Sequence, residues 1–220
     1  MRWVEELDVI RSEGLRILEV ARRDPDHAVP QYPEWTMTDL LSHVGSILGR
    51  TTLICLERPT ERISAPRLPE GEDAFDWYQS TLGHMIQTLE ETDPDAPVWG
   101  FVEGCTISFW VRRMVAETGV HRWDAEQAFA EERPLHQTVA LAGLDEYAGM
   151  WLPRLGEMPS LTLTATDLGK TWVYGSGEPA AEVSGTASDL YLRLMSRPSS
   201  VILPEVWAAA VDGLAPPPKP

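Results

Sequence analysis

Cysteine is scarce in this chain of 220 residues, which contains Cys55 and Cys105 and no Cys-x-x-Cys pair. The scarcity excludes zinc ribbons and thioredoxin-type redox motifs. Long apolar runs are also missing, since none approaches the ~18 residues of a membrane span. The N-terminus, MRWVEELDVIRSEG, has charges where a signal peptide needs an apolar stretch. We therefore expect a cytoplasmic protein with reduced thiols and no membrane partner.

Positive charge is the second shortage. Lysine and arginine together number 18 against 34 acidic residues, giving a formal net charge of −16, and the lysines are Lys170 and Lys219 alone. Binding to nucleic-acid phosphates depends on clusters of basic residues, so we expect no nucleic-acid partner. What the chain does have is 43% hydrophobic residues, including nine Trp, which is enough to bury a core of one larger or two small domains.

Helical periodicity dominates the first two thirds of the chain. Apolar residues recur at helical spacing, and Thr36 with Asp39 resembles a capping box at the start of one helix. The segment DPDHAVPQYPEW (24–35) is predicted to break the first helix because it contains three prolines. The pattern predicts helices at about 3–23, 37–57, 73–92, 107–131 and 135–151.

The pattern changes after Pro153. SLTLTATD (160–167) alternates like a strand and would form a hairpin with GKTWVYGSG (169–177), while AAEVSGT (180–186) is a third candidate strand. Two further helices are predicted at 188–196 and 205–214. We therefore predict an α+β protein with a helical bundle over residues 1–153, a small α/β domain over 154–214 and a disordered tail at 215–220.

One helical face in the fourth predicted helix carries polar residues where a core is expected. Residues three and four apart share a face, and this face is mostly apolar but includes Glu117 and His121 one turn apart. A buried lone carboxylate is costly unless it is paired or binds a metal. The full set on this face is Trp110, Met114, Glu117, His121, Ala125 and Ala128.

His43, on the flank of the apolar face of the second predicted helix, is the candidate third ligand. A single histidine there is more often a core or rim residue, and a lone Glu-x-x-x-His pair is more often a surface ion pair. Taken together, the three residues fit the way metal sites are built inside helical bundles. Three protein ligands would leave an open position for water or a thiol.

Two motifs and a tail segment carry a family resemblance. Trp35-Thr-x-x-Asp-Leu-x-x-His43 is followed, after a long gap, by a motif that contains Glu117, His121 and Asp124. SGTASDLYLRLMSRP (184–198) follows near the C-terminus. The arrangement resembles the mycothiol-dependent maleylpyruvate isomerase family, within the DinB-like group of metal-binding four-helix bundles. Tyr32-Pro33-Glu34 stands where that family commonly has Cys-Pro-Gly.

The resemblance implies a site and a chemistry. It implies a divalent metal, most often zinc, on His43, Glu117 and His121, with mycothiol as a thiol cosubstrate. The thiolate would add to a small-molecule electrophile, giving cis–trans isomerisation or S-transfer. The alternative is a non-catalytic ligand-binding or regulatory module of the same fold, and either would be a monomer or a homodimer.

Four further residues receive expected positions or roles. Arg197 would receive a carboxylate of the substrate or cofactor, unless it is a surface arginine at a helix end. Asp124 would orient a metal ligand, or else serve as an Arg partner on the helix surface. Trp110 is expected to wall the pocket that holds the cofactor. Arg113 is expected to be solvated, since charged residues are mostly exposed.

Overall fold

The computed structural model of the protein describes residues 2–131 and 133–220, which form two compact units. The first unit ends at Arg133 and also includes Pro218–Pro220, and the second spans Pro134–Pro217. The sequence pattern predicts a division near residue 153 instead. The difference arises because the fifth helix packs against the helices and strands that follow it.

The first unit is a four-helix bundle, as predicted. Its helices are α1 (Arg2–Ala21), α2 (Met37–Glu57), α3 (Ala74–Glu90) and α4 (Ile107–Ala128). Helix α1 packs against α4 and α3, and α2 packs against α3 and α4. The apolar face of each helix supplies buried residues, which is how an amphipathic helix gains most of its stability in a protein.

A short β-ribbon precedes α2 and was not predicted. Strands β1 (Ala28–Val29) and β2 (Tyr32–Thr36) pair antiparallel with an irregular register. Pro33 lies within β2, and proline is tolerated in such a ribbon because a two-stranded ladder leaves one side of each strand unpaired. The ribbon brings Tyr32 and Trp35 into the core of the bundle, since both are buried.

Local sequence fixes both ends of α2. Thr36 accepts a hydrogen bond from the Asp39 backbone N–H, and the Asp39 side chain accepts one from the Thr36 backbone N–H, so the predicted capping box is present. The helix ends at Glu57 and is capped by Arg58, which has a left-handed conformation with φ of 49°. Between these ends, Gly45 lets α2 approach α3 closely, because a Cβ there would lie 2.4 Å from Cζ3 of Trp77.

The second unit combines a three-stranded sheet with four helices. The elements are α5 (Gln137–Met150), α6 (Leu152–Leu155), β3 (Pro159–Ala165), β4 (Lys170–Tyr174), β5 (Ser176–Gly185), α7 (Ala187–Leu194) and α8 (Glu205–Asp212). Strands β3 and β4 form the predicted hairpin, and β5 pairs parallel to β3 on its other side.

Gly175 makes this sheet order possible. The chain leaves β4 and passes the start of β3 before running along the opposite edge as β5. At the crossing, Gly175 has φ of 78°, and a Cβ there would lie 2.3 Å from the Pro159 carbonyl oxygen. A residue with a side chain would be strained in both respects.

The cysteines, the apolar character of the helices and the C-terminal tail were each the subject of a prediction. Cys55 and Cys105 are both free and buried. Among the described residues, no helix combines the length and apolar character needed to cross a bilayer. Residues 215–220 form no helix or strand, and Lys219 Nζ lies 3.0 Å from Asp39 Oδ2. Disorder of this tail stays a prediction.

A pair of glycine substitutions tests the packing of α2 on α3. Gly45→Ala should lower the free energy of unfolding by about 1–3 kcal/mol, because the added methyl overpacks the Trp77 contact. Gly83→Ala on α3 is the matched control, since nothing lies within 4 Å of its Cβ position. That change should raise stability by about 0.5–1 kcal/mol through helix propensity. Urea denaturation of the two variants measures both, and equal effects would contradict the described packing.

Candidate metal centre

Helices α2 and α4 bring together the three residues that the sequence singled out. One potential ligand atom from each of His43, Glu117 and His121 lies within 4.8 Å of the others. Oε1 of Glu117 is 3.8 Å from Nε2 of His43 and 3.3 Å from Nε2 of His121. In the described part of the chain this is the one such group of three or more His, Cys, Asp or Glu residues. The expected convergence is present, and metal binding itself stays a prediction.

The convergence follows from helical spacing and burial. Glu117 and His121 are one turn apart on α4, and they are only 6% and 5% exposed. His43 lies two turns into α2, whose start is fixed by the cap at Thr36. Since both helices are held by apolar contacts on either side of these residues, the three side chains are directed into the bundle interior.

Glu117 is a buried carboxylate surrounded by cationic or potentially cationic groups. Burial alone would raise its pKa, but Arg113, His121 and His43 together hold the pKa well below its ordinary value. Nη2 of Arg113 donates a hydrogen bond to Oε2 of Glu117. Glu117 is therefore ionised at neutral pH, with Oε1 directed towards the two histidines.

Asp124 contacts His121 on the side of the ring opposite to Glu117. Its Oδ2 lies 3.0 Å from Nδ1 of His121, and the carboxylate is fully buried. Nδ1 must therefore carry a proton and donate it, which leaves Nε2 as the atom that faces Glu117. Burial lowers the pKa of His121, but Asp124 and Glu117 outweigh that effect and raise the pKa to about 9.

His43 differs from His121 in charge. Burial, followed by the nearby His121, lowers the pKa of His43 to about 4, so its imidazole is neutral at pH 7. Its ring packs at a centroid distance of 4.8 Å from Trp35 of β2. A neutral imidazole with a free ring nitrogen is the state in which histidine binds metals.

This donor set fits a divalent cation. Two imidazole nitrogens and one carboxylate oxygen are common zinc ligands, and three protein ligands are typical of sites with an open position. The Asp124–His121 contact is the carboxylate–histidine pairing that fixes ligand tautomers at such sites. The aromatic rings of Tyr32 and Trp35 cover the two histidines at centroid distances of 6.1 Å and 4.8 Å, respectively.

The structure corrects one expectation and extends another. Arg113 was expected to be solvated, but it is 9% exposed and paired with Glu117, because a buried carboxylate requires compensation. Tyr32 was noted only as a departure from the family's Cys-Pro-Gly segment and was given no role at the site. It stacks on Trp35 at 4.3 Å and reaches His121 through the unpredicted β-ribbon. The two aromatic residues of YPEW, three positions apart, were the sequence signal that could have indicated a role for Tyr32.

The remaining candidates lie outside the triad. Trp110 is fully buried and donates its indole N–H to the Trp99 carbonyl at 2.7 Å. Arg197 belongs to the second unit, is 9% exposed and donates from Nη1 to the Met195 carbonyl. It is therefore not a solvated surface arginine. The cofactor and substrate roles of Trp110 and Arg197 stay predictions.

Comparisons with known proteins identify the family and the fold of this chain. Residues 7–126 match the family model described as "Mycothiol maleylpyruvate isomerase N-terminal domain". Crystal structures of the mycothiol-dependent maleylpyruvate isomerase and of its histidine-to-alanine mutant have TM-scores of 0.70 and 0.69, at 16% and 15% sequence identity. Each comparison covers 93% of this chain and 96% of the other, which shows a shared α+β fold. No curated protein matches the sequence. Because the family model spans more than half of the chain, the protein belongs to the mycothiol maleylpyruvate isomerase family.

Proposed function

We propose that this protein is a metal-dependent enzyme that activates the thiol of mycothiol for addition to an electrophilic double bond. The observation that carries the proposal is the convergence of His43, Glu117 and His121, with Asp124 behind His121. Family membership supports an isomerase. The same first step followed by release of the conjugate would be S-transfer, which we keep as the second outcome of the same chemistry.

The protein residues have separable tasks in this proposal. His43, Glu117 and His121 would hold the cation, and Asp124 would keep Nε2 of His121 directed towards it. Arg113 stabilises the ionised form of Glu117 inside the bundle. When bound with an open position, a divalent cation lowers the pKa of a neighbouring thiol and so supplies a thiolate near neutral pH.

The proposed reaction is balanced without an oxidant or reductant. The thiolate sulfur forms a bond to one carbon of a cis double bond, and the π electrons move to a conjugated carbonyl oxygen. The former double bond then rotates, the electrons return, and the carbon–sulfur bond breaks to release the trans product and the thiolate. We propose that Arg197 binds a carboxylate of the substrate or cofactor and that Trp110 contributes to the thiol-binding wall.

A non-catalytic binding module remains a second candidate because of the β-ribbon. Tyr32 stands where the family commonly has a cysteine, and its ring lies 6.1 Å from that of His121. A bulky side chain there narrows the space beside the triad. Tight mycothiol binding without turnover of any electrophile would favour this candidate over the enzyme.

Metal content and thiol-dependent turnover test the proposal together. The purified protein should contain about one zinc ion per chain, and His43→Ala should lose most of that metal together with mycothiol-dependent isomerisation of maleylpyruvate. His84→Ala is the matched control because His84 is exposed on α3. Elemental analysis and a product assay measure the two effects. Full metal content and full activity in His43→Ala would reject the proposal.

Replacing Asp124 should weaken the metal site without removing a ligand. Asp124→Asn keeps the shape of the side chain but removes the negative charge that holds the His121 tautomer. We expect zinc affinity to fall by about 10–100-fold, as is typical for such supporting carboxylates. Competition with a chelator measures the change. Asp26→Asn, at an exposed position, is the control. Unchanged affinity in Asp124→Asn would show that Asp124 does not support the metal site.

Zinc affinity should depend on pH through His121. Its pKa of about 9 means that the metal-free protein carries the extra proton at pH 7, whereas His43, with a pKa of about 4, carries none. A cation must displace the proton from His121, so affinity should rise roughly tenfold per pH unit up to about pH 9. Calorimetry at pH 7 without thiol, in buffers of different ionisation enthalpy, should report release of about one proton. No proton release would contradict the described state of His121.

A further inference from the structure

Arg50 lies about two helical turns beyond the triad, on the side of α2 that carries His43. It lies seven residues after His43 on α2, so the two share a helix face and their Cα atoms are separated by about 10 Å along the axis. Trp110, seven residues before Glu117 on α4, lies opposite Arg50. The Arg50 guanidinium is 6.0 Å from the centroid of the Trp110 ring. Side chains on a helix lean towards its N-terminus, which for Arg50 is the direction of His43.

Arg50 is a cation that pairs with no acidic side chain in the described part of a strongly acidic protein. Its Nε is buried and has no hydrogen-bond partner, and no ion pair joins Arg50 to any residue that the structure describes. By contrast, the part-buried Arg16 and the buried Arg122 both pair with Glu126. With 34 acidic residues available, an unpaired, half-buried guanidinium is unexpected, because removing a charge from water is costly unless it is compensated.

The charges around Arg50 favour an anion. Burial, followed by repulsion from Arg62, lowers its pKa, while Glu117 raises the pKa and Arg113 lowers it. The charge of Glu117 is already balanced by its hydrogen bond from Arg113. The uncompensated charge beside the triad is therefore positive, although the chain as a whole carries −16.

We infer that Arg50 is a specificity-determining residue that binds a carboxylate of the substrate while the reacting double bond lies at His43, Glu117 and His121. A guanidinium binds a carboxylate through two parallel hydrogen bonds, and a cation–π contact with the Trp110 ring helps to hold the Arg50 guanidinium in place. The inference deepens the proposed function and rests on it for the position of the reacting group. It assigns to Arg50 the recognition of a carboxylate that is remote from the reacting carbon.

Binding of carboxylates to the zinc-loaded, full-length protein tests this role without any turnover. The probes are maleate, fumarate and pyruvate, with dimethyl maleate as the uncharged comparison, and calorimetry without thiol measures binding. Arg50→Met should weaken carboxylate binding at least tenfold, the low end for losing a charge-assisted hydrogen bond. Carboxylate binding by Arg50→Lys should be intermediate, because lysine keeps the positive charge but cannot donate the two parallel hydrogen bonds of a guanidinium. Binding of dimethyl maleate should not respond to either change.

Stability separates recognition from a structural role. Arg50→Met replaces an unpaired, half-buried charge with an apolar chain of similar length, so its Tm should equal or exceed that of the unsubstituted protein. A fall in Tm with unchanged carboxylate binding would overturn the inference. Arg22→Gln, which removes an exposed arginine beside Gln79, is the control and should bind all probes normally.

The failures of the two proposals are distinguishable. Arg50-dependent carboxylate binding without mycothiol-dependent turnover would keep the recognition role and reject the enzyme. Thiol-dependent turnover with equal carboxylate binding in the unsubstituted protein and Arg50→Met would do the reverse. Absence of measurable binding for all three acids would also overturn the role of Arg50.

Discussion

The burial of the Glu117 carboxylate is the constraint on which the rest of the site depends. A charge in the interior of a helical bundle must be compensated. Here Arg113 donates a hydrogen bond to Oε2 of Glu117, and the imidazoles of His43 and His121 lie near Oε1. The arrangement leaves Oε1 of Glu117 and two ring nitrogens facing one another across distances that suit a shared cation. The Asp124 carboxylate likewise compensates the charge of the His121 imidazole. It accepts a hydrogen bond from Nδ1 of His121, so that Nε2 is the nitrogen that faces Glu117.

The bundle supplies these contacts through a few local features. The capping box at Thr36 sets where α2 starts and therefore where His43 lies, and Gly45 sets how closely α2 approaches α3. The β-ribbon then places Trp35 against the ring of His43. Farther along the same face, Arg50 has no acidic partner among the residues that the structure describes, which is a cost that a protein accepts at a binding site and avoids in a scaffold.

Much of this architecture was predictable because it depends on local periodicity. The apolar spacing gave the bundle helices, and one polar interruption of that spacing identified Glu117 and His121. Other features were not predictable, because they depend on partners distant in sequence. The burial of Arg113 follows from the carboxylate it meets, the short ribbon around Tyr32 lacks strand-like alternation, and the division at Arg133 reflects how α5 packs. The order of the sheet depends on a crossing at Gly175 that the hairpin pattern does not contain.

X-ray absorption spectroscopy of the zinc-loaded protein, with and without mycothiol, tests the central claim most directly. The account predicts a zinc environment of nitrogen and oxygen atoms that includes two imidazoles, to which mycothiol adds one sulfur scatterer at about 2.3 Å. The same sulfur contribution should be absent when the thiol group is blocked by alkylation. A site saturated by protein ligands, with no sulfur contribution after mycothiol is added, would contradict a centre built around the buried carboxylate to leave room for a thiol.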